Sequence, residues 1–469
     1  MNRNNFFIHL ALALVLVLVA AFAGQLSRWR KQWKSHIGVV PATEKKRATT
    51  VEEISISEAR RLGRPEVLVR FKSGVSQETI ERLTAQRNDR VEDRIENVSG
   101  LEAIDDLDNA DATTVASEYS QLAEVEYAEP NFEIELDTAE GPLVPVLPHD
   151  PQFTDQWALA NSGQRGGKQG ADISATLAWA TTTGSEEVVV AVLDSGVDYT
   201  HEDLIKNMWM RPARMAPYHD EELGTIDDEH GFNAIDSAAD PMDENGHGTH
   251  CAGIIGAEGE NDIGIAGVNW KVRIMPLKFM NAGGFGTTKD AIEAINYVID
   301  RKKAGVNVRI ISASWGSTQR SRALGDVIRK AYENDILFVA AAGNSSTNND
   351  RNPHFPSSYD VPNVISVAAL DRNDELAKFS NYGVKSVAIA APGVDILSTW
   401  LGDAYEEKSG TSMATPVVSG VAALVLAEHP RMSVDDLKKK LLASTDPIVA
   451  LKGKIATGGR INAAKALEN

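Results

Sequence analysis

Four residues that are far apart in the sequence have the side chains that nucleophilic catalysis needs. Asp194, His247 and Ser412 supply a carboxylate, an imidazole and a hydroxyl, in that order, and Asn344 supplies an amide. A serine hydroxyl is a poor nucleophile at its ordinary pKa. It therefore needs a histidine base, a carboxylate that orients this base, and a donor for the negative charge that develops on the substrate. These four residue types together suit acyl transfer.

Two of these residues follow apolar runs that predict buried strands. Asp194 comes directly after residues 188–193, and Asn344 comes shortly after residues 336–341. Catalytic groups of open α/β sheets collect at the carboxyl ends of the strands. We therefore expect both side chains at that edge of a sheet.

The other two residues lie in segments that are rich in small residues. A glycine flanks His247 on each side and would let a backbone or a substrate come close to the imidazole. Ser412 precedes residues 413–427, which are small and apolar and predict a helix buried in the core. Pro416 is expected near the first turn of this helix, where a proline is tolerated.

The elements that must position these residues are those of a parallel sheet. Further apolar runs that predict strands lie at residues 272–277, 308–312, 364–369 and 387–391. Residues 289–303 place apolar side chains on one helical face, and Gly305 is positioned to end this crossover helix. Strands that alternate with helices predict an α/β fold, doubly wound, with a mostly parallel sheet and helices on both faces.

The stretch Gly410-Thr411-Ser412-Met413-Ala414-Thr415-Pro416 resembles the nucleophile motif of subtilisin-like serine proteases. The order aspartate, histidine, serine along the chain is also the order found in subtilisin itself. The likeness extends over nearly all of residues 157–469, and the start of the domain, residues 150–153, resembles thermitase-like members. It implies a subtilisin-like fold and a serine endopeptidase.

The resemblance also implies a role for each residue. Ser412 would attack the peptide bond, His247 would take its proton, and Asp194 would hold the imidazole. Asn344 would donate its amide to the oxyanion, beside the Ser412 backbone N–H. No catalytic cofactor is expected.

Residues 65–137 are similar to the inhibitory propeptide of that family, a small α+β domain. Residues 66–71 alternate like a half-buried strand, Ser76 could cap a helix, and residues 125–129 predict a later strand. The resemblance implies that this segment assists folding and inhibits the protease intramolecularly until it is cut. An unrelated small domain is the alternative.

The propeptide is followed by a linker at residues 138–149, whose three prolines suit an extended, exposed segment. A cleavage site in this linker would make the chain an autoprocessed zymogen with a peptidase domain at residues 150–469. Residues 1–23 are mostly apolar and predict a signal peptide for secretion or export to the periplasm, followed by a linker at residues 24–64. An uncleaved membrane anchor is the competing interpretation.

The resemblance further assigns a substrate cleft and a calcium site. The residues that match the backbone segments of the cleft are Gly284, Phe285, Gly286, Ser314, Trp315, Gly316 and Gly343. Trp315 would favour bulky apolar substrate side chains, unless it belongs to the core. The residues that match a structural calcium site, three of them through backbone carbonyls, are Asp150, Asp203, Glu258, Asn261, Ile263 and Ile265.

Several other functions are disfavoured by the sequence. The formal net charge of -19 argues against nucleic acid as a partner, because phosphate binding needs clustered Lys and Arg. His247 and His250 lack the glutamate of an H-E-x-x-H metal site. Cys251 suits a buried, inert thiol better than a nucleophile. Ser412 has neither the motif nor the residue order of an α/β-hydrolase esterase.

One rival reading is harder to separate from a protease. A non-catalytic homologue could bind peptides in the same cleft, although it would have no need of all four catalytic residue types. We expect protein or peptide substrates and a monomer. The acidic segment at residues 220–243 is expected to be a solvated surface.

Overall fold

The computed structural model describes residues 66–108, 110–132, 143–221, 224–236 and 238–468. The chain divides into two compact units, Met1–Thr138 and Ala139–Asn469. The leader predicted at residues 1–23, the linker at residues 24–64 and the first part of the predicted cleavage segment lie outside the described residues.

The first unit contains a small antiparallel sheet. Its described elements are β1 (Glu66–Phe71), α1 (Gln77–Ala85), β2 (Asp89–Arg94), β3 (Leu101–Asp106), α2 (Ala112–Ser120) and β4 (Val125–Pro130). The strand order is β2-β3-β1-β4. Alternate residues of β1, namely Val67, Val69 and Phe71, are buried in the core of this unit, and the Ser76 hydroxyl caps α1 by accepting from the Thr79 amide.

The second unit contains a nine-stranded sheet and two separate pairs of strands. Its strands are β5 (Gly184–Asp194), β6 (Tyr218–Asp220), β7 (Gly224–Ile226), β8 (Phe232–Asn233), β9 (Lys271–Lys278), β10 (Val308–Ala313), β11 (Leu337–Ala341), β12 (Val364–Leu370), β13 (Ile389–Pro392), β14 (Ile396–Trp400), β15 (Ala404–Lys408), β16 (Thr445–Pro447) and β17 (Gly459–Ile461). Its helices are α3 (Ala175–Ala178), α4 (His247–Gly256), α5 (Thr288–Lys303), α6 (Arg322–Glu333), α7 (Thr411–Glu428), α8 (Val434–Ala443) and α9 (Ala463–Leu467).

The order in the large sheet is β16-β17-β13-β12-β11-β10-β5-β9-β8, and every pairing is parallel except the one between β16 and β17. Both faces of the sheet are buried. On β11, Leu337 and Val339 pack with residues of α4 and α7, whereas Phe338 and Ala340 pack with residues of α5 and α6. This confirms the predicted fold class, because such a sheet needs apolar residues at successive positions.

Helix α7 starts earlier than the sequence predicts. It begins at Thr411, so that Pro416 is its sixth residue and lies just beyond the first turn. Within the described residues, this is the one helix long and apolar enough to span a membrane by length and composition. Most of it is buried inside the protein, as in the core helix of a folded domain.

The expectation of a solvated acidic surface at residues 220–243 is wrong for two of its carboxylates. Asp228 is fully buried, where it accepts from the Tyr297 hydroxyl at 2.7 Å and pairs with Arg211 and Arg301. Asp243 is also buried. Burial of these groups is possible because each is paired or hydrogen-bonded.

Candidate active site

Asp194 and His247 form the central contact of the site. Asp194 is the last residue of β5 and only 1% exposed, whereas His247 is the first residue of α4. The imidazole Nδ1 donates to Asp194 Oδ1 at 2.7 Å, and the Ser195 amide donates to the same oxygen at 2.8 Å. The contact uses Nδ1, so Nε2 is the ring nitrogen available to a second partner.

The electrostatic surroundings of His247 favour its charged form. Burial lowers the pKa of His247, but the charge of Asp194, its hydrogen bond and the charge of Asp243 raise it. The net result is a pKa above the ordinary value for histidine. An imidazole in these surroundings is a stronger base than one in water.

A glycine allows the start of α4 to approach β5 closely. A Cβ atom on Gly248 would lie 2.0 Å from the Gly196 carbonyl oxygen. The Gly248 amide instead donates to the Ser195 hydroxyl at 3.0 Å. The first turn of α4 is also held by Asp243, whose Oδ2 accepts from both the amide and the hydroxyl of Thr249.

Ser412 lies in the first turn of α7, which packs against α4. Its Oγ donates to the Ser314 carbonyl at 2.9 Å, and no hydrogen bond joins it to the imidazole in the described part of the chain. Catalytic hydrogen bonds are often long or misaligned before substrate binds. The two helices meet near the serine, because Cys251 Sγ, one turn after His247, lies 3.6 Å from the Ser412 carbonyl oxygen.

Pro416 releases the carbonyl of Ser412 from the helix. A proline has no N–H, so the helical bond from residue 416 to the carbonyl of residue 412 cannot form. This carbonyl instead accepts from the Ser314 hydroxyl at 2.7 Å and from the Cys251 thiol. Ser412 and Ser314 therefore hold each other through two reciprocal hydrogen bonds.

The orientation of the Asn344 amide is fixed by Thr411. Asn344 Oδ1 accepts from the amide and from the hydroxyl of Thr411, both at 2.9 Å. This leaves Nδ2 as the donor of the amide. A Cβ atom on Gly410 would lie 3.4 Å from Asn344 Nδ2 and 3.5 Å from the Ser412 amide nitrogen, so both donor nitrogens lie beside Gly410.

Six of the seven residues predicted to form the cleft occupy two loops, and the seventh, Gly343, lies beside Asn344. In the first, the Phe285 side chain is 76% exposed between Gly284 and Gly286, and Asn245 ties this loop to the start of α4 by donating to the Ala282 carbonyl at 2.8 Å. Exposure of a large aromatic side chain beside the site leaves it free to contact a peptide.

The second loop follows β10 and contains Ser314, Trp315 and Gly316. Trp315 packs on Phe279 and donates from Nε1 to the Leu193 carbonyl at 2.9 Å. Trp315 therefore contributes to the core, and its role as a wall of the cleft stays a prediction. Gly343 adjoins Asn344, and its amide donates to the Thr411 hydroxyl at 3.1 Å.

The alternative chemistries around His247 depend on His250 and Cys251. His250 donates to the Glu406 carbonyl at 2.9 Å, and burial lowers its pKa to about 4. Among the described residues, one group of potential metal ligands converges to within 4.8 Å, and it consists of Asp194, His247 and Cys251 without His250. Burial raises the pKa of the Cys251 thiol, which disfavours the reactive thiolate.

The predicted calcium ligands lie together around Asn261. Its amide nitrogen lies 3.3 Å from Asp150 Oδ1, and its side-chain Nδ2 donates to Asp203 Oδ1 at 2.8 Å. Asp150 is 4% exposed and Asp203 is fully buried. Burial raises the pKa of Asp203 to about 6, and the charge of Asp150 adds to this effect.

The arrangement fits a calcium ion in two respects. Two buried carboxylates come close without a basic partner on either of them in the described residues. In addition, the backbone carbonyls of Glu258, Ile263 and Ile265 accept no hydrogen bond from the described residues. Carboxylates without a cationic partner and free carbonyl oxygens are ligands that Ca²⁺ prefers.

Some residues that shape the site have no signal in the sequence. Thr411 orients Asn344 across a separation of 67 residues, and Asp243 holds the first turn of α4. A threonine beside the nucleophile and an aspartate before a glycine-rich segment are ordinary residues in those places. Only the folded chain shows which partner each one has.

Comparison with known proteins gives a family match for each of the two units. The profile of the subtilase family matches residues 185–462, and that of the fervidolysin N-terminal prodomain matches residues 50–131. The chain is 34% identical over 427 residues to the thermophilic serine proteinase of Bacillus sp. (strain AK1), across 89% of this chain and 91% of that protein.

Two further similarities each cover about two thirds of the chain. Thermitase of Thermoactinomyces vulgaris is 34% identical over 321 residues, which cover 68% of this chain and 99% of thermitase. A solved protease structure from Pseudoalteromonas arctica PAMC 21717 superposes with a TM-score of 0.55 at 28% identity, across 68% of this chain and 98% of that one.

Proposed function

Because this chain belongs to the subtilase family of serine proteases, we propose that it cleaves peptide bonds with Asp194, His247 and Ser412 as its catalytic triad. The observation that carries this proposal is the 2.7 Å hydrogen bond between Asp194 and the imidazole at the start of α4, against which the first turn of α7 packs. The chain is a serine-type endopeptidase by family, and the contacts around these three residues support the roles proposed for them.

The proposed reaction passes through an acyl-enzyme. Ser412 Oγ attacks the carbonyl carbon of the substrate while His247 Nε2 takes its proton, and Asp194 stabilises the imidazolium that forms. Asn344 Nδ2 and the Ser412 amide then donate to the oxyanion. The imidazolium gives its proton to the leaving amine, and water releases the acyl group by the same steps in reverse.

We assign the prodomain to inhibition and the leader to export. The match to a known prodomain supports a zymogen, in which residues 65–137 inhibit the protease until the chain cuts itself within residues 138–149. The apolar residues 1–23 support secretion. A peptide-binding homologue without activity would keep the prodomain uncut.

An organophosphonate tests the nucleophile directly. We expect the processed enzyme to bind one phosphonyl group per chain, on the peptide that contains Ser412, and to lose activity in proportion. Mass spectrometry of the digested protein locates the group, and the unfolded chain serves as control because its serines are not activated. Full activity without modification, or a group on another residue, would contradict the proposed role of Ser412.

Asn344→Leu is expected to lower kcat by about 10²–10³-fold with little change in KM, a magnitude taken from subtilisin itself. The substitution removes the side-chain donor that faces the oxyanion. Asn352→Leu is a matched control, because Asn352 is an exposed asparagine nearby. Equal turnover of the two variants would exclude Asn344 from the oxyanion site.

We propose that calcium binds at Asp150, Asp203 and Asn261, together with the carbonyls of Glu258, Ile263 and Ile265. A bound ion would neutralise the two buried carboxylates and tie residues 258–265 to the rest of the domain. Its function here is structural.

Removal of calcium is expected to lower the melting temperature by several degrees. Calcium at about 100 times its Kd adds ~2.7 kcal/mol to the free energy of unfolding. Calorimetry with and without a chelator measures the shift, which should vanish in Asp203→Asn and persist in Asp227→Asn, a control at a side chain that is 77% exposed. An equal calcium-dependent shift in both variants would place the ion elsewhere.

A further inference from the structure

The imidazole of His354 lies between the two backbone segments that border the reacting serine. We propose that His354 closes the pocket for the P1 side chain, so that this protease cleaves after small residues such as alanine and glycine. P1 is the residue whose carbonyl carbon Ser412 attacks. The inference rests on the proposed function and adds the substrate class.

The position of the P1 pocket follows from the contacts of the catalytic groups. The reacting carbonyl has to lie between Ser412 Oγ and Asn344 Nδ2, and the P1 side chain is only two bonds away from its carbon. Ser412 Oγ contacts the carbonyl of Ser314, two residues before Gly316, and Asn344 directly follows Gly343. A substrate held in this way places its P1 side chain beside the two segments that contain Gly316 and Gly343.

His354 lies beside the same two glycines. A Cβ atom on Gly316 would lie 2.0 Å from Cε1 of the His354 ring, and a Cβ atom on Gly343 would lie 3.0 Å from its Cδ2. The ring thus packs beside both glycines and takes up room that a large P1 side chain would need. At both positions the absence of a side chain is what admits the imidazole.

The backbone around His354 is fixed to one of these segments. Ser317 and Phe355 exchange two backbone hydrogen bonds, at 2.7 and 2.8 Å, which hold the residue after His354 against the residue after Gly316. The His354 carbonyl accepts from the Ser357 hydroxyl at 2.8 Å. To admit a large P1 side chain, the imidazole would have to turn away from a fixed backbone.

The surroundings of the ring favour its neutral form. Burial lowers the pKa of His354 below the ordinary value for histidine, and a hydrogen bond with the Ala341 backbone opposes this effect.

The predicted cleavage segment contains residues of the expected size. Within residues 138–149 the small ones are Ala139 and Gly141, and Gly141 is followed by Pro142. We therefore expect the chain to cut itself after Ala139, which gives a product that begins at Glu140. Leu143 and Leu147 in the same segment would be poor P1 residues.

Peptides that differ only at P1 test the proposal. The parent enzyme is expected to give a kcat/KM at least about 10-fold higher for P1 alanine than for P1 phenylalanine. His354→Gly and His354→Ala should each raise the value for phenylalanine about 10-fold or more and change that for alanine less than about 3-fold, as expected when a pocket gains several methylene volumes. His354→Gln keeps the bulk and should keep the preference, and His219→Ala, at an exposed histidine, is the control.

Two results would overturn the inference. One is a parent enzyme that prefers phenylalanine and keeps this preference in His354→Gly, which would mean that the ring turns aside. The other is a processed N-terminus that follows Leu143 or Leu147 in the parent chain. An enzyme that takes no phosphonyl group and cuts neither peptide would instead refute the proposed function itself.

Discussion

Ser412→Ala is expected to lower kcat by about 10⁶-fold, the size of the loss in subtilisin itself. The same change should leave the chain at full length, because self-cleavage within residues 138–149 needs the same hydroxyl. The folded structure should persist, since Ser412 Oγ has a single hydrogen bond, to the Ser314 carbonyl, and its backbone contacts do not involve the side chain. N-terminal sequencing and turnover of a peptide measure the two effects.

The controls for this variant separate loss of chemistry from loss of fold. Ser409→Ala removes an exposed hydroxyl three residues earlier and should be processed like the parent. A small amount of parent enzyme added to Ser412→Ala should cut the variant in its linker, which shows that the linker is still accessible. Self-cleavage of Ser412→Ala in the absence of added enzyme would show that another group is the nucleophile.

Asp194→Asn is expected to lower kcat by about 10⁴-fold at neutral pH, the loss that another serine protease shows when it loses this carboxylate. The amide has nearly the same shape, so the fold should be retained. It cannot accept from Nδ1 with a full negative charge, and it allows the imidazole to adopt the wrong tautomer. The remaining activity should have a different dependence on pH.

The direction of this pH shift follows from the surroundings of His247. His247 has to be neutral to accept the serine proton, so activity falls as the pH drops through its pKa. The charge and hydrogen bond of Asp194 raise that pKa. In Asp194→Asn the acidic limb of kcat/KM should therefore move to lower pH. The control is Asp198→Asn, at a buried aspartate whose charge does not affect the pKa of His247, and it should leave the acidic limb in place. An unmoved limb in Asp194→Asn would contradict the role of Asp194 as the partner of His247.

Much of the fold could be predicted because its strands are continuous apolar runs. Such runs are too long for surface loops, and the polar residue that ends each run marks the carboxyl edge of the sheet, as Asp194 does for β5. The boundaries that the apolar runs predict for the strands are less accurate. Strand β5 begins at Gly184, ahead of the apolar run, and its pairing with β9 has a register shift between Gly184 and Val189 that the sequence does not reveal.

The finer features of the site depend on contacts between distant segments. Asp228 is surrounded by acidic residues in the sequence, yet Arg211, Arg301 and Tyr297 come to it from two other segments and bury it. His354 is an unremarkable residue in a loop until Gly316 and Gly343 lie on either side of it. No local sequence pattern predicts these contacts, because each contact depends on how segments separated by many residues are arranged in the fold.

Pro416 has a mechanical consequence for the nucleophile. The carbonyl of Ser412 accepts from Ser314, directly after β10, and not from the next turn of α7, so the serine is held by the sheet as well as by its own helix. The reacting residue is therefore positioned by two elements, the helix that carries it and the segment that follows β10.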